Sequence, residues 1–367
     1  MKDMKQKIYL VSFAALGLIF ISPAQAQLTF NFTDGATLAG LAGTDPTLYN
    51  NVRNGFQTGA NRWSTLFNDN VTINITIDYP SLGVGILGSA SSNTIGSLYS
   101  SVRTNLVADA LSTDDALANA SLQAGPNLQF VTSDTTGTRV LDNNGSGNNR
   151  FLDVNRANAK ALGLLAGNAA GEDAAISFSS NFSWDFDPGN GITGSFYDFI
   201  GVATHEIGHA MGFVSGVDTV DYYSGPTFGP GGSATDLNPF RVFSVLDLYR
   251  YSTNADTLVS GTRVLDLAQG GTPFFSLDGG TTNLALFSTG PYDGDGRQAS
   301  HWKDNLGIGV MDPTAAPGEL LSITARDIQG FDVIGWNMIS SSAPEPGTLA
   351  LAFLGGVGLV AARRRRK

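Results

Sequence analysis

His205-Glu-Ile-Gly-His209 is where residue types and spacing in this chain could do chemistry. Two histidines four residues apart on a helix share one face and can hold one zinc ion, with Glu206 between them placed as a base. The chain has only three histidines, and the remaining one, His301, is the candidate third ligand. A catalytic zinc needs about three protein ligands and one open position for water. Zinc lowers the pKa of that water to about 7 and polarises a carbonyl as a Lewis acid. Glu206 can take a proton from the water and later hand it to a leaving amine. These residues predict a zinc hydrolase, with peptide-bond hydrolysis as the expected reaction.

The ligands need a helix that buries its other side. Ser195 to Asp198 has the form of a capping-box start, and Gly212 and Gly216 offer stops. Between them, about 100° per residue puts Phe196, Ile200, Ala203, Ile207, Ala210 and Val214 on one stripe, with His205 and His209 roughly opposite. Gly201, Gly208 and Gly212 cluster beside the histidines, which predicts room over the metal.

Upstream, Leu28 to Phe32 alternates as a first strand and VTINITIDY at 71–79 is a β-branched strand. Residues 47–67 and 95–111 carry apolar residues at helical spacing, and 151–165 suggests a third, weaker helix. Residues 174–184 alternate, with Ile176, Phe178, Phe182 and Trp184 on one face, which predicts a half-exposed strand just before the zinc helix. From 213 to about 320 the pattern dissolves into Gly, Asp, Ser and Thr with short apolar runs such as 241–251. Thr324 and Asp327 open a closing helix with a capping box. Asp293-Gly-Asp295-Gly has the form of a short calcium loop, although a solvated turn is the simpler reading of the same residues.

Charge and the two ends bound the setting. The net charge of −11 includes +2 from residues 1–26 and +4 from 343–367, so the body between them carries −17. Such a body repels nucleic acid, because it has no surplus of cations to neutralise phosphates. A basic start, an apolar run from Ile8 to Ile21 and an A-x-A site ending at Ala26 predict a secretory signal peptide. There is no cysteine, so disulfides and a cysteine-switch inhibitor are both excluded.

The zinc motif resembles that of the metzincin proteases, which begins HExxHxxG. Its usual third histidine would fall at Ser215, so the compact form is broken here. His301, followed ten residues later by Met311, is similar to the delayed third histidine and Met-turn of leishmanolysin-like metzincins. That resemblance implies zinc ligands His205, His209 and His301, base Glu206, and Met311 beneath the metal. It implies an α+β fold whose N-terminal lobe, about 27–213, holds a mixed twisted sheet plus helices. An irregular C-terminal lobe, about 214–340, faces it across a cleft. It also implies a substrate-binding edge strand, for which Ile176 and Phe178 are the candidates. Glu319, in the manner of gluzincins, and Asp218 stay open as alternative third ligands.

Ala343-Pro344-Glu345-Pro346-Gly347, then an apolar run to Ala362 and a basic end to Lys367, resembles the PEP-CTERM sorting signal. That resemblance implies an exosortase-type partner acting near Pro344-Glu345-Pro346, and export to the envelope of a Gram-negative bacterium with transient anchoring. The functional expectation is a secreted zinc endopeptidase acting on a protein or peptide. A non-catalytic surface or matrix protein on the same fold and a zinc hydrolase of non-peptide substrates are the other readings.

Overall fold

A computed structural model of the chain describes residues 27–224, 227, 235–259 and 263–339. The signal segment predicted at 1–26 and the sorting tail predicted at 343–367 lie outside the described residues. The two β-branched runs form β1 (Thr29–Asp34) and β2 (Thr72–Asp78), paired in parallel. Between them run α1 (Ala36–Thr44) and α2 (Pro46–Ser64). Asp45 caps α2 by accepting from Leu48 N, and Val52, Phe56, Ala60 and Trp63 form its buried stripe, at the helical spacing expected of them.

The next segment corrects two sequence expectations. Residues 95–111 are not one helix: β4 (Thr94–Leu98) follows β3 (Gly88–Ser92), and only then does α3 (Tyr99–Asp109) begin. After α4 (Thr113–Ser121), the hairpin of β5 (Phe130–Ser133) and β6 (Arg139–Asp142), and the single turn α5 (Gly147–Arg150), the weak helix expected at 151–165 is also split. Its first part is β7 (Phe151–Asn155) and its second is α6 (Arg156–Ala161). The cause is tertiary. β4 and β7 pair antiparallel, Leu98 opposite Phe151, and that ladder outweighs the local helical spacing.

β8 (Ala174–Phe178) completes a four-stranded sheet in the order β1-β2-β8-β3, in which only β3 runs antiparallel to its neighbour. The expected half-exposed strand is therefore shorter than 174–184 and lies inside the sheet. Ile176 and Phe178 are buried, and the edge on that side of the sheet is β3. A parallel pair of two-residue strands, β9 (Trp184–Asp185) and β10 (Tyr197–Asp198), leads into α7 (Phe199–Met211).

Beyond α7 come α8 (Val217–Tyr223) and a run of short elements: β11 (Arg250–Tyr251), α9 (Thr253–Asp256), β12 (Leu265–Asp266), β13 (Phe274–Phe275) and β14 (Ala285–Leu286). α10 (Ala325–Val333) closes the described chain with the capping box expected at Thr324 and Asp327. The fold is thus α+β, with its second half largely irregular. The lobes expected to divide near residue 213 share structure, however. A six-stranded sheet, β14-β13-β11-β12-β5-β6, pairs β5 with β12 across that boundary. One apolar core runs from Leu28 to Trp336. Each large side chain fully buried in it contributes roughly 1.5–3 kcal/mol, so both halves are held by the same burial.

Candidate metal centre

α7 begins three residues later than the capping-box spacing suggests. Asp198, not Ser195, is its N-cap, and its carboxylate accepts from Gly201 N at 2.8 Å. The helix ends at Gly212, whose φ of 119° is open to glycine and strained for other residues. The sequence predicts one buried stripe, but α7 is buried almost all round. Of its thirteen residues only His205 and His209 are partly open. Packing against α2 on one side explains much of this, with Trp63 Nε1 donating to Thr204 O at 2.9 Å.

The glycines serve close packing rather than space above the metal. A Cβ at Gly208 would lie 2.5 Å from Met311 Sδ, so the missing side chain is what admits Met311 beneath the helix. Met311 is fully buried. Its segment is tied by Asp327, which accepts from Val310 N (2.9 Å), Met311 N (3.3 Å) and Trp302 Nε1 (2.8 Å) while also capping α10. Sequence reasoning found Asp327 as a cap and missed this second task.

The three histidines come together. Their Nε2 atoms are separated by 3.0 Å (His205–His209), 3.1 Å (His209–His301) and 3.2 Å (His205–His301). Each Nδ1 faces a carbonyl that can only accept: Val310 O for His205 (2.8 Å), Phe213 O for His209 (2.7 Å) and Gln298 O for His301 (3.1 Å). Each Nδ1 therefore carries the proton and each neutral ring turns an Nε2 lone pair inward. Burial pushes the histidines down, His205 to about 4 and His209 to about 3, with His301 also well below the ordinary value, so all three are neutral at pH 7. Three converging lone pairs repel unless a cation lies among them. Nitrogens on a tetrahedral zinc with bonds of about 2.0–2.1 Å sit about 3.3 Å apart, close to the observed triangle. Carbonyl-held Nδ1–H groups are also the usual way a protein orients metal-binding histidines. The donor set therefore suits zinc.

Glu206 is buried and no hydrogen bond to its carboxylate is made among the described residues. Burial alone raises its pKa to about 8. Its Oε1 lies against β3, where a Cβ at Gly88 would come within 2.8 Å. Glu206 and the three histidines line a cavity of about 850 Å³ whose walls include Gly88, Ala90, Tyr197 and Leu321. The β3 edge borders this cavity, a position the sequence reading gave to 174–184. Gly88-Ser-Ala-Ser-Ser92 has no apolar alternation, so its pattern carries no strand signal.

The alternative third ligands stand elsewhere. The Asp218 carboxylate is taken by the loop before His301, accepting from Ala299 N at 2.6 Å and Ser300 N at 3.2 Å. Glu319 is exposed and accepts from Ala316 N. Asp293 and Asp295, the candidate calcium pair, stand in a hydrogen-bonded turn. Asp295 accepts from Thr289 N and pairs with Lys303 Nζ at 2.5 Å, and Asp293 accepts from Thr227 N. Among the described residues, the histidine triad is the group of three or more ligand-type side chains close enough to share an ion. Ordinary turn hydrogen bonding accounts for the two aspartates.

Residues 342–366 match the family described as the PEP-CTERM protein-sorting motif. The chain thus carries an export and sorting tail, of the kind an exosortase-type enzyme processes. No curated protein and no solved structure matches the chain. No helix among the described residues is long and apolar enough to cross a membrane.

Proposed function

We propose that this chain is an exported zinc-dependent endopeptidase of metzincin type, sorted to the envelope of a Gram-negative bacterium through its C-terminal motif. The observation that supports the reading best is the convergence of three inward lone pairs beside one buried, undonated carboxylate in a single cavity. A structural histidine cluster has no need of that carboxylate.

His205, His209 and His301 would hold the zinc, which when bound supplies Lewis acidity to a peptide carbonyl and to water. Glu206 accepts the proton of the attacking water and delivers it to the leaving nitrogen. Its carboxylate lies in the same cavity as the three histidines, where it can reach a water held among them. The free edge of β3 offers main-chain donors and acceptors to an extended peptide beside Glu206, which favours a peptide over a compact small molecule. Met311, fully buried and seated against Gly208, backs the ligand helix with an apolar side chain.

Hydrolysis of casein by the purified protein tests this, with and without a zinc chelator and in the Glu206→Ala variant. The expected result is chelator-sensitive cleavage, reduced about 10²–10⁴-fold by Glu206→Ala. Cleavage that survives the substitution refutes the mechanism. Zinc bound in stoichiometric amount without peptide cleavage favours a non-catalytic surface protein or a hydrolase of other substrates.

A further inference from the structure

His301 lies 92 residues beyond His209, on a segment of turns and isolated bridges with no helix of its own. Something must hold its ring in register with two ligands on α7. The residues immediately before it are held by one side chain. Asp218 Oδ1 accepts from Ala299 N (2.6 Å), and Asp218 Oδ2 accepts from Ser300 N (3.2 Å) and Ser300 Oγ (2.5 Å). Both carboxylate oxygens are thus committed to the two residues preceding His301.

Asp218 is itself fixed to the exit of α7. It stands in the first turn of α8, five residues beyond Phe213, whose carbonyl orients His209. Ser215, between them, donates its N–H to Ser300 Oγ (2.9 Å) and its hydroxyl to Asp247 Oδ1 (2.6 Å). Asp247 Oδ2 accepts from Gly216 N (2.8 Å). Burial raises the pKa of both aspartates, Asp218 to about 6, and the hydrogen bonds they accept together with the charge of the fully buried Arg250 oppose that rise.

We propose that Asp218 is a positioning residue for the metal centre: through Ala299 and Ser300 it sets His301 against the two histidines of α7. The proposal rests on the reading of the three histidines as metal ligands. Asp218 touches neither metal nor substrate. It acts by converting a remote, irregular segment into a rigid ligand arm, as outer-shell partners do for metal-bound side chains. Ser215, where a compact motif would have a histidine, serves the same clamp.

The test uses the full chain in four forms: unchanged, Asp218→Asn, Ser300→Ala and His301→Ala. Zinc affinity is measured by competition with a chelator, and cobalt is loaded in place of zinc to record its visible ligand-field bands. Asp218→Asn keeps the side-chain shape but turns an N–H₂ toward donors. It is expected to weaken zinc about 10–100-fold and to alter the cobalt spectrum, with His301→Ala losing more. Ser300→Ala removes one hydroxyl, gives a smaller change in the same direction, and decides the matter if Asp218→Asn does not fold. Zinc affinity and cobalt bands unchanged in the folded variants, with only the urea midpoint lowered, overturn the proposal. An unchanged chain that binds zinc no better than His301→Ala removes the premise instead, so the two failures are told apart.

Discussion

Gly208→Ala separates a metal site held from below from one that merely sits on a helix. On an isolated helix this change stabilises by about 0.8–1.0 kcal/mol, because alanine restricts the unfolded chain and glycine does not. Here the new Cβ would lie 2.5 Å from Met311 Sδ, 3.2 Å from Met311 Cε and 3.2 Å from Phe331 Cζ. Ordinary contacts are about 3.5–4.0 Å, so the thioether must move by more than about 1 Å. Met311 and Phe331 are fully buried, and overpacking of that kind costs about 1–3 kcal/mol. The two effects leave a net loss of up to about 2 kcal/mol in the metal-free protein.

A second loss is expected only with zinc. The residue before Met311 supplies the carbonyl that orients His205, and Met311 O accepts from the N–H of Trp302, next to His301. Moving Met311 therefore disturbs the supports of two ligands, for which about 10–100-fold in affinity is typical. In zinc excess that difference adds about 1.4–2.7 kcal/mol to the stability gap between variant and unchanged protein. Urea unfolding in chelator and again in excess zinc reads both parts. A variant that gains about 1 kcal/mol in chelator, and that zinc stabilises as much as the unchanged protein, refutes the packing and the support together.

Gly88→Ala probes the opposite wall, since its Cβ would meet Glu206 Oε1 at 2.8 Å. It is expected to lower casein cleavage by up to about 10²–10⁴-fold, the range for loss of an acid–base group, while zinc stoichiometry stays the same. Loss of zinc along with activity would assign the damage to the fold instead. Asp332 supplies a pH test. Burial, with the charges of Asp115, Asp114 and Asp109, raises its pKa to about 7, against about 3.9 in an unfolded chain. The folded state holds the proton more tightly, so this contribution is complete below pH of about 4 and lost as pH rises through about 7. Urea midpoints at pH 4.5, 6 and 8 should therefore fall for the unchanged protein relative to Asp332→Asn. A constant difference across that range contradicts the assignment.

Legibility in the sequence followed the range of the forces involved. The pair His205 and His209 was readable because helical spacing alone sets it, and β2 because its β-branched alternation needs no partner to be recognised. His301 was readable for a different reason: with three histidines in the chain, counting stood in for geometry. β3 was not, because its strand character comes from pairing with β8 across more than 80 residues rather than from its own side chains. The helices expected at 95–111 and 151–165 failed likewise, as β4 and β7 each supply the other's reason to be extended. The residue type of Asp218 permits a ligand role. Only the position of Ala299 and Ser300 shows that its oxygens are occupied by the loop.

That clamp has a thermodynamic rationale. A third ligand at Ser215 would close a loop of six residues from His209, whereas His301 closes one of 92. Closure entropy grows as the logarithm of length, so the longer loop costs about 2.4 kcal/mol more. A hydrogen bond to a charged group contributes about 1.5–3 kcal/mol, and Asp218 accepts three from the residues before His301. Two of them offset the longer loop across that whole range, and the third remains to fix the orientation of the ring. A split site therefore costs this fold little, provided a carboxylate on the helix side receives the incoming segment.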